Sequence, residues 1–82
     1  MNPQQATIHI SSFIVRCQPD RLSEVMQTLA AMEGVELHGS DPCGKFVVLL
    51  ELDSEQKLVD TITQIELTSG VINTSMVYHH AE

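Results

Sequence analysis

Few residues in this chain have side chains suited to chemistry, and their spacing argues against most of it. His79 and His80 are adjacent, His38 lies shortly before Cys43, and the only other cysteine is Cys17. Neighbouring residues of a strand point to opposite faces, so the histidine pair makes a poor metal chelate. A copper-carrying domain would show a Cys-x-x-Cys loop after its first strand. Here Cys17 stands alone before Gln18-Pro19 and reads as a small core hydrophobe. There is no nucleophile motif and no phosphate-cradling glycine loop, and Arg16 and Arg21 are the only candidates for anion clamps. The sequence therefore offers no catalytic residue, no metal ligand and no cofactor site, and the expectation is a non-enzymatic protein.

Charge narrows the partners. Eleven acidic against four basic residues give a net charge of −7, which repels phosphate backbones and anionic lipid and favours a cationic partner. Taken singly, Glu24, Glu33, Asp60 and Glu66 are ordinary solubilising surface groups. RNA recognition on a sheet needs exposed aromatics, and Phe13, Phe46 and Tyr78 are the whole supply, the first two expected beneath helices. The opening Met1-Asn2-Pro3-Gln4-Gln5 lacks the basic and apolar regions of a secretory signal, and no apolar run approaches the ~20 residues that cross a bilayer. A cytoplasmic location is expected.

These residues must be positioned by one small domain, since a chain of 82 residues buries only about 60–65% of its unfolded surface. Residues 7–16 are β-branched, apolar and short, and predict a first strand. Leu22, Val25, Met26 and Leu29 repeat at helical spacing, and Gly34 ends that helix. Val35 to His38 alternates as a half-buried strand, the turn formers Gly39 to Gly44 make a hairpin, and 45–52 is the third strand. Asp53 is placed to cap a second helix, with Gln56 reaching back and Leu58, Val59, Ile62 and Ile65 as its apolar stripe. After Gly70, Val71 to Tyr78 forms the last strand. The order strand, helix, strand, strand, helix, strand predicts an α+β ferredoxin-like sandwich, a four-stranded antiparallel sheet with both helices on one face. Residues 1–82 form a single domain in this reading, with 1–6 and 79–82 as flexible ends.

Phe46-Val47-Val48-Leu49-Leu50 is apolar on both sides of its strand, yet only one face has helices to cover it. Phe46, Val48, Leu50 and Leu52 carry no charge and are assigned to the helices, together with Phe13, Val15 and Cys17. The open face then receives Ile8, Ile10, Ser12, Ile14 and Arg16 from the first strand and Lys45, Val47, Leu49 and Glu51 from the third. In the last strand two parities compete, and Met76 and Tyr78 are assigned to the open side. Ile10, Ile14, Val47, Leu49 and Met76 would form an apolar patch larger than a monomer leaves wet. A second copy in a weak homodimer and a bound peptide are its two candidate covers. An acidic rim favours a peptide that also carries positive charge.

Ser11-Ser12-Phe13-Ile14-Val15, Gly34-Val35-Glu36-Leu37-His38, and Gly70-Val71 through Ser75-Met76-Val77-Tyr78-His79 together resemble the NapD family, over nearly the whole chain. The resemblance implies a small cytoplasmic chaperone for the catalytic subunit of periplasmic nitrate reductase, a molybdenum enzyme exported by the twin-arginine pathway. It further implies binding of that subunit's twin-arginine signal peptide, which delays export until the cofactor is inserted. The family carries no catalytic residues to transfer. From strand parity alone, the peptide is expected to meet Ile10, Ser12, Ile14, Arg16, Val47, Leu49, Glu51, Met76 and Tyr78, with its arginines near carboxylates such as Glu51 or Glu36. The alternative is a regulatory or oligomerisation module of the amino-acid-sensing kind, shared by this topology.

Overall fold

The computed structural model describes residues 8–81, with side chains described through Val77. Strand β1 (His9–Cys17) stops just before Pro19, which has no N–H to offer a ladder; the chain turns through a short 3-10 segment, Pro19–Arg21, into helix α1 (Leu22–Ala30). Val25 and Leu29 bury the inner face of α1, and Leu22 and Met26 flank them half-buried. Strands β2 (Val35–Asp41) and β3 (Lys45–Leu52) form a hairpin, helix α2 (Glu55–Glu66) follows, and β4 (Val71–Ala81) closes the chain beyond the expected end at Tyr78. The expectation of loose residues 1–6 lies outside the described residues.

The cap of α2 differs from the sequence expectation. Ser54, in extended conformation, accepts a hydrogen bond from Lys57 N–H at 3.0 Å and is the N-cap. Asp53 sits one residue too early for that role and instead pairs with Lys57 Nζ at 3.2 Å, while Gln56 donates forward to Asp60 Oδ1 at 3.0 Å. The hydroxyl is as good a cap as the carboxylate, and the register of the helix selects it.

The strands lie in the order β2-β3-β1-β4, and every neighbouring pair is antiparallel. Strand β3 therefore sits between β1 and β2, interleaving two strand–helix–strand halves as the ferredoxin-like arrangement requires. Phe13, Val15, Cys17, Phe46, Val48, Leu50 and Leu52 point one way and form a single core with Val25, Leu29, Leu58 and Ile65. Both helices thus cover the same face. Burial pushes the Cys17 thiol up from its ordinary range, in keeping with a core residue and not a thiolate.

The β2–β3 turn is fixed by two devices. Asp41 accepts the Cys43 backbone N–H on Oδ1 at 2.9 Å, and that bond is the main reason its carboxyl lies below the usual range. Gly44 has φ +101°, donates to the Asp41 carbonyl at 2.9 Å and accepts from Cys17 N–H at 2.8 Å; a side chain there would run into the Cys17 carbonyl oxygen. Only glycine serves both conditions.

Candidate peptide-binding face

Register defines what the helix-free side displays. Reading across β2, β3, β1 and β4, Glu36 lies beside Leu49, Leu49 beside Ser12, and Ser12 beside the backbone of Tyr78. The next row is His38, Val47, Ile14 and Ser75. Beyond it Lys45 faces Arg16, which faces Asn73; at the opposite end Glu51 faces Ile10. Ile8, Ile10, Ser12, Ile14, Val47 and Leu49 are half-buried, whereas Arg16, Lys45, Glu36 and Glu51 are exposed. The centre of the face is apolar, and neither helix reaches it.

Seven of the nine residues expected to form the site from parity, Ile10, Ser12, Ile14, Arg16, Val47, Leu49 and Glu51, share this face. Met76 does not. It pairs with Phe13, which gives it the parity of the helix-facing side, where it remains 57% exposed on the edge strand. The cause is Val77, an extra residue in β4 between the Phe13–Met76 and Ser12–Tyr78 pairings. Such a bulge reverses the alternation of everything beyond it. Tyr78 consequently keeps the open-side register, and its side chain lies outside the described residues.

At the end of the sheet where β2 begins and β3 finishes, the face deepens into a groove of about 550 Å³ lined by Ile8, Val35, Leu49 and Leu52 together with Glu33, Glu36, Glu51 and Asp53. Gly34 makes this possible. With φ +77° and no side chain, it lets the chain before β2 pack onto the end of β3, where its carbonyl accepts from Glu51 N–H at 3.0 Å. Glu33 and Glu36 are thereby brought beside Glu51. The Asp53 charge is engaged by Lys57, whose ammonium is held above its usual range first by Asp53 and then by Glu33. Glu36 lies 3.6 Å from His38 Nε2. Sequence reasoning singled out Glu36 and Glu51 but missed Glu33 and Asp53. Their signal was positional: each flanks a turn at the same end of adjacent strands, which becomes visible only once the strand order is known.

Among the described residues no three His, Cys, Asp or Glu side chains converge on a point where an ion could sit. The side chains of His79 and His80 lie outside the described residues. No helix among the described residues is long and apolar enough to cross a membrane.

Fold and face together define an α+β ferredoxin-like domain with one apolar sheet surface that its helices leave uncovered and an acidic groove at its edge. The sequence model of the family described as NapD protein matches residues 8–82. Chaperone NapD of Escherichia coli K12 is 32% identical over 74 residues, covering 89% of this chain and 85% of that protein. Chaperone NapD of Haemophilus influenzae is 33% identical over 75 residues, covering 90% and 81% respectively. The solution structure of the E. coli Tat proofreading chaperone protein NapD matches with a TM-score of 0.82 at 32% identity, over 92% of this chain and 80% of that one. The chain belongs to the NapD family. Its named relatives are chaperones, a non-enzymatic role, and this membership displaces the amino-acid-sensing alternative.

Proposed function

We propose that this protein is a cytoplasmic proofreading chaperone that binds the twin-arginine signal peptide of the periplasmic nitrate reductase catalytic subunit and delays export until cofactor insertion is complete. A signal of that kind joins a basic segment to an apolar one. The observation that carries the reading is the juxtaposition of matching surfaces: the half-buried patch Ile10, Ile14, Val47 and Leu49 adjoins a groove rimmed by Glu33, Glu36 and Glu51. The apolar segment covers this patch, which gains roughly 25 cal/mol for each Å² removed from water. The arginines enter the groove, where a guanidinium fork can meet a carboxylate with two parallel hydrogen bonds. While the peptide lies there, the export machinery cannot read it.

Isothermal titration with a synthetic twin-arginine signal peptide, beside the same peptide with both arginines replaced by lysine, tests this. The lysine form keeps the charge but loses the fork, so it should bind severalfold more weakly. Glu51→Gln should narrow the difference between the two. Equal affinity for both peptides, or none for either, contradicts the proposal.

A further inference from the structure

We infer that the open sheet face accepts its peptide in one direction only, with the basic segment in the Glu33–Glu36–Glu51 groove and Arg16 and Lys45 excluding positive charge from the far end of the apolar stretch. The inference rests on the peptide-binding reading above and adds to it a polarity and a selection rule.

Arg16 and Lys45 are direct cross-strand partners on β1 and β3, and both are exposed on the open face. Like charges placed directly opposite weaken a sheet, so folding gains nothing from this pair. Neither forms an ion pair with a described carboxylate. Asp41 faces Lys45 from β2; its carboxylate accepts the Cys43 backbone N–H and also feels the Lys45 charge, but the two side chains are not in ion-pair contact. Two of the four basic residues of a strongly acidic chain are therefore gathered at one end of the face that the helices leave uncovered.

The other end carries the opposite sign. Glu51 ends the same open-face set of β3 that begins at Lys45, about 20 Å away at ~3.3 Å per residue. That separation exceeds the screening length of ~8 Å at physiological salt, so the two poles act independently on a bound chain. Between them Val47, Leu49, Ile14 and Ser12 carry no charge. A segment reading basic-then-apolar fits with its cations in the groove. Reversed, it places those cations against Arg16 and Lys45 and leaves the groove carboxylates without a guanidinium.

Two measurements on a synthetic twin-arginine peptide with a leucine-rich stretch test the polarity. First, an extra arginine at the end of the leucine-rich stretch should weaken binding to the unaltered protein by about two- to fivefold, as expected for exposed charges. That penalty should vanish or invert in the Arg16→Glu/Lys45→Glu double variant, whose fold is checked by circular dichroism. Second, a spin label placed before the arginine pair should broaden amide resonances near Glu51 and Gly34, and one placed after the apolar stretch those near Lys45 and Arg16. An unchanged penalty in the double variant, or the reverse broadening pattern, overturns the direction while leaving peptide binding intact. Failure of every peptide to bind overturns the underlying reading itself.

Discussion

Ile14 and Val15 are chain neighbours with opposite environments, one on the helix-free face and the other in the core. Val15 is 0% exposed, packed in the core beside Phe46 on β3 and Thr74 on β4. A carboxylate there would be buried without a partner, at a cost of several kcal/mol against a domain stability of about 5–15 kcal/mol. Ile14 points to the open face between Val47 and Ser75 and is half-buried. A carboxylate at that position stays wet in the free protein and becomes desolvated only under a bound apolar segment. Val15→Asp is therefore expected to be largely unfolded by circular dichroism. Ile14→Asp should keep the native spectrum and melt within several degrees of the unaltered protein, yet bind a twin-arginine peptide more than tenfold more weakly in calorimetry. Native-like affinity in a folded Ile14→Asp would place the peptide elsewhere.

The elements show where the sequence was legible and where it was not. In β1 and β3 charge sorts the two faces, because Arg16, Lys45 and Glu51 all fall on one parity and the other set is uncharged. In β4 the described alternation offers Ile72, Thr74 and Met76 against Val71, Asn73, Ser75 and Val77, with no charge to separate them, and two register shifts relative to β1 defeat simple alternation. A local pattern cannot reveal a bulge, which exists only relative to the partner strand. The Asp53 cap failed for a similar reason: Asp53 and Ser54 are both good caps, and the helix phase needed to bury Leu58 and Ile65 decides between them. The groove was hidden because its carboxylates come from chain segments on either side of the β2–β3 hairpin. That hairpin is also the place to probe how elements are joined. Gly44→Ala would force φ +101° on a residue with a Cβ and drive that carbon into the Cys17 carbonyl oxygen, disturbing the contact that ties β1 to the start of β3. A loss of at least ~1–3 kcal/mol is expected, a fall in Tm of about 4–8 °C for each kcal/mol. Gly39→Ala provides the control: its φ of +58° is also left-handed, but nothing lies within 4 Å of a Cβ there, so it should cost less. Equal losses in the two variants would mean that backbone conformation alone, and not the approach to Cys17, governs the turn.

For the molecule as a whole, the relation between fold and charge distinguishes a peptide chaperone from a domain that merely self-associates. A ferredoxin-like sheet leaves one face uncovered by its two helices, and a second copy of that face would cover it largely by apolar contact. Two molecules of net charge −7 repel one another, however, and salt relieves that repulsion. Self-association should thus strengthen as ionic strength rises. Binding of a basic signal peptide is drawn by the same charge and should do the opposite. Raising salt from about 0.1 M to about 1 M shortens the screening length from about 10 Å to about 3 Å, enough to silence exposed pairs while sparing apolar burial. Affinity for a twin-arginine peptide is expected to fall across that range and then level off at the apolar contribution. The same peptide with glutamine in place of both arginines should start near that plateau and change little. Sedimentation of the protein alone over the same series reports any dimer, and a peptide affinity that rises with salt in step with a dimer would assign the open face to self-association instead.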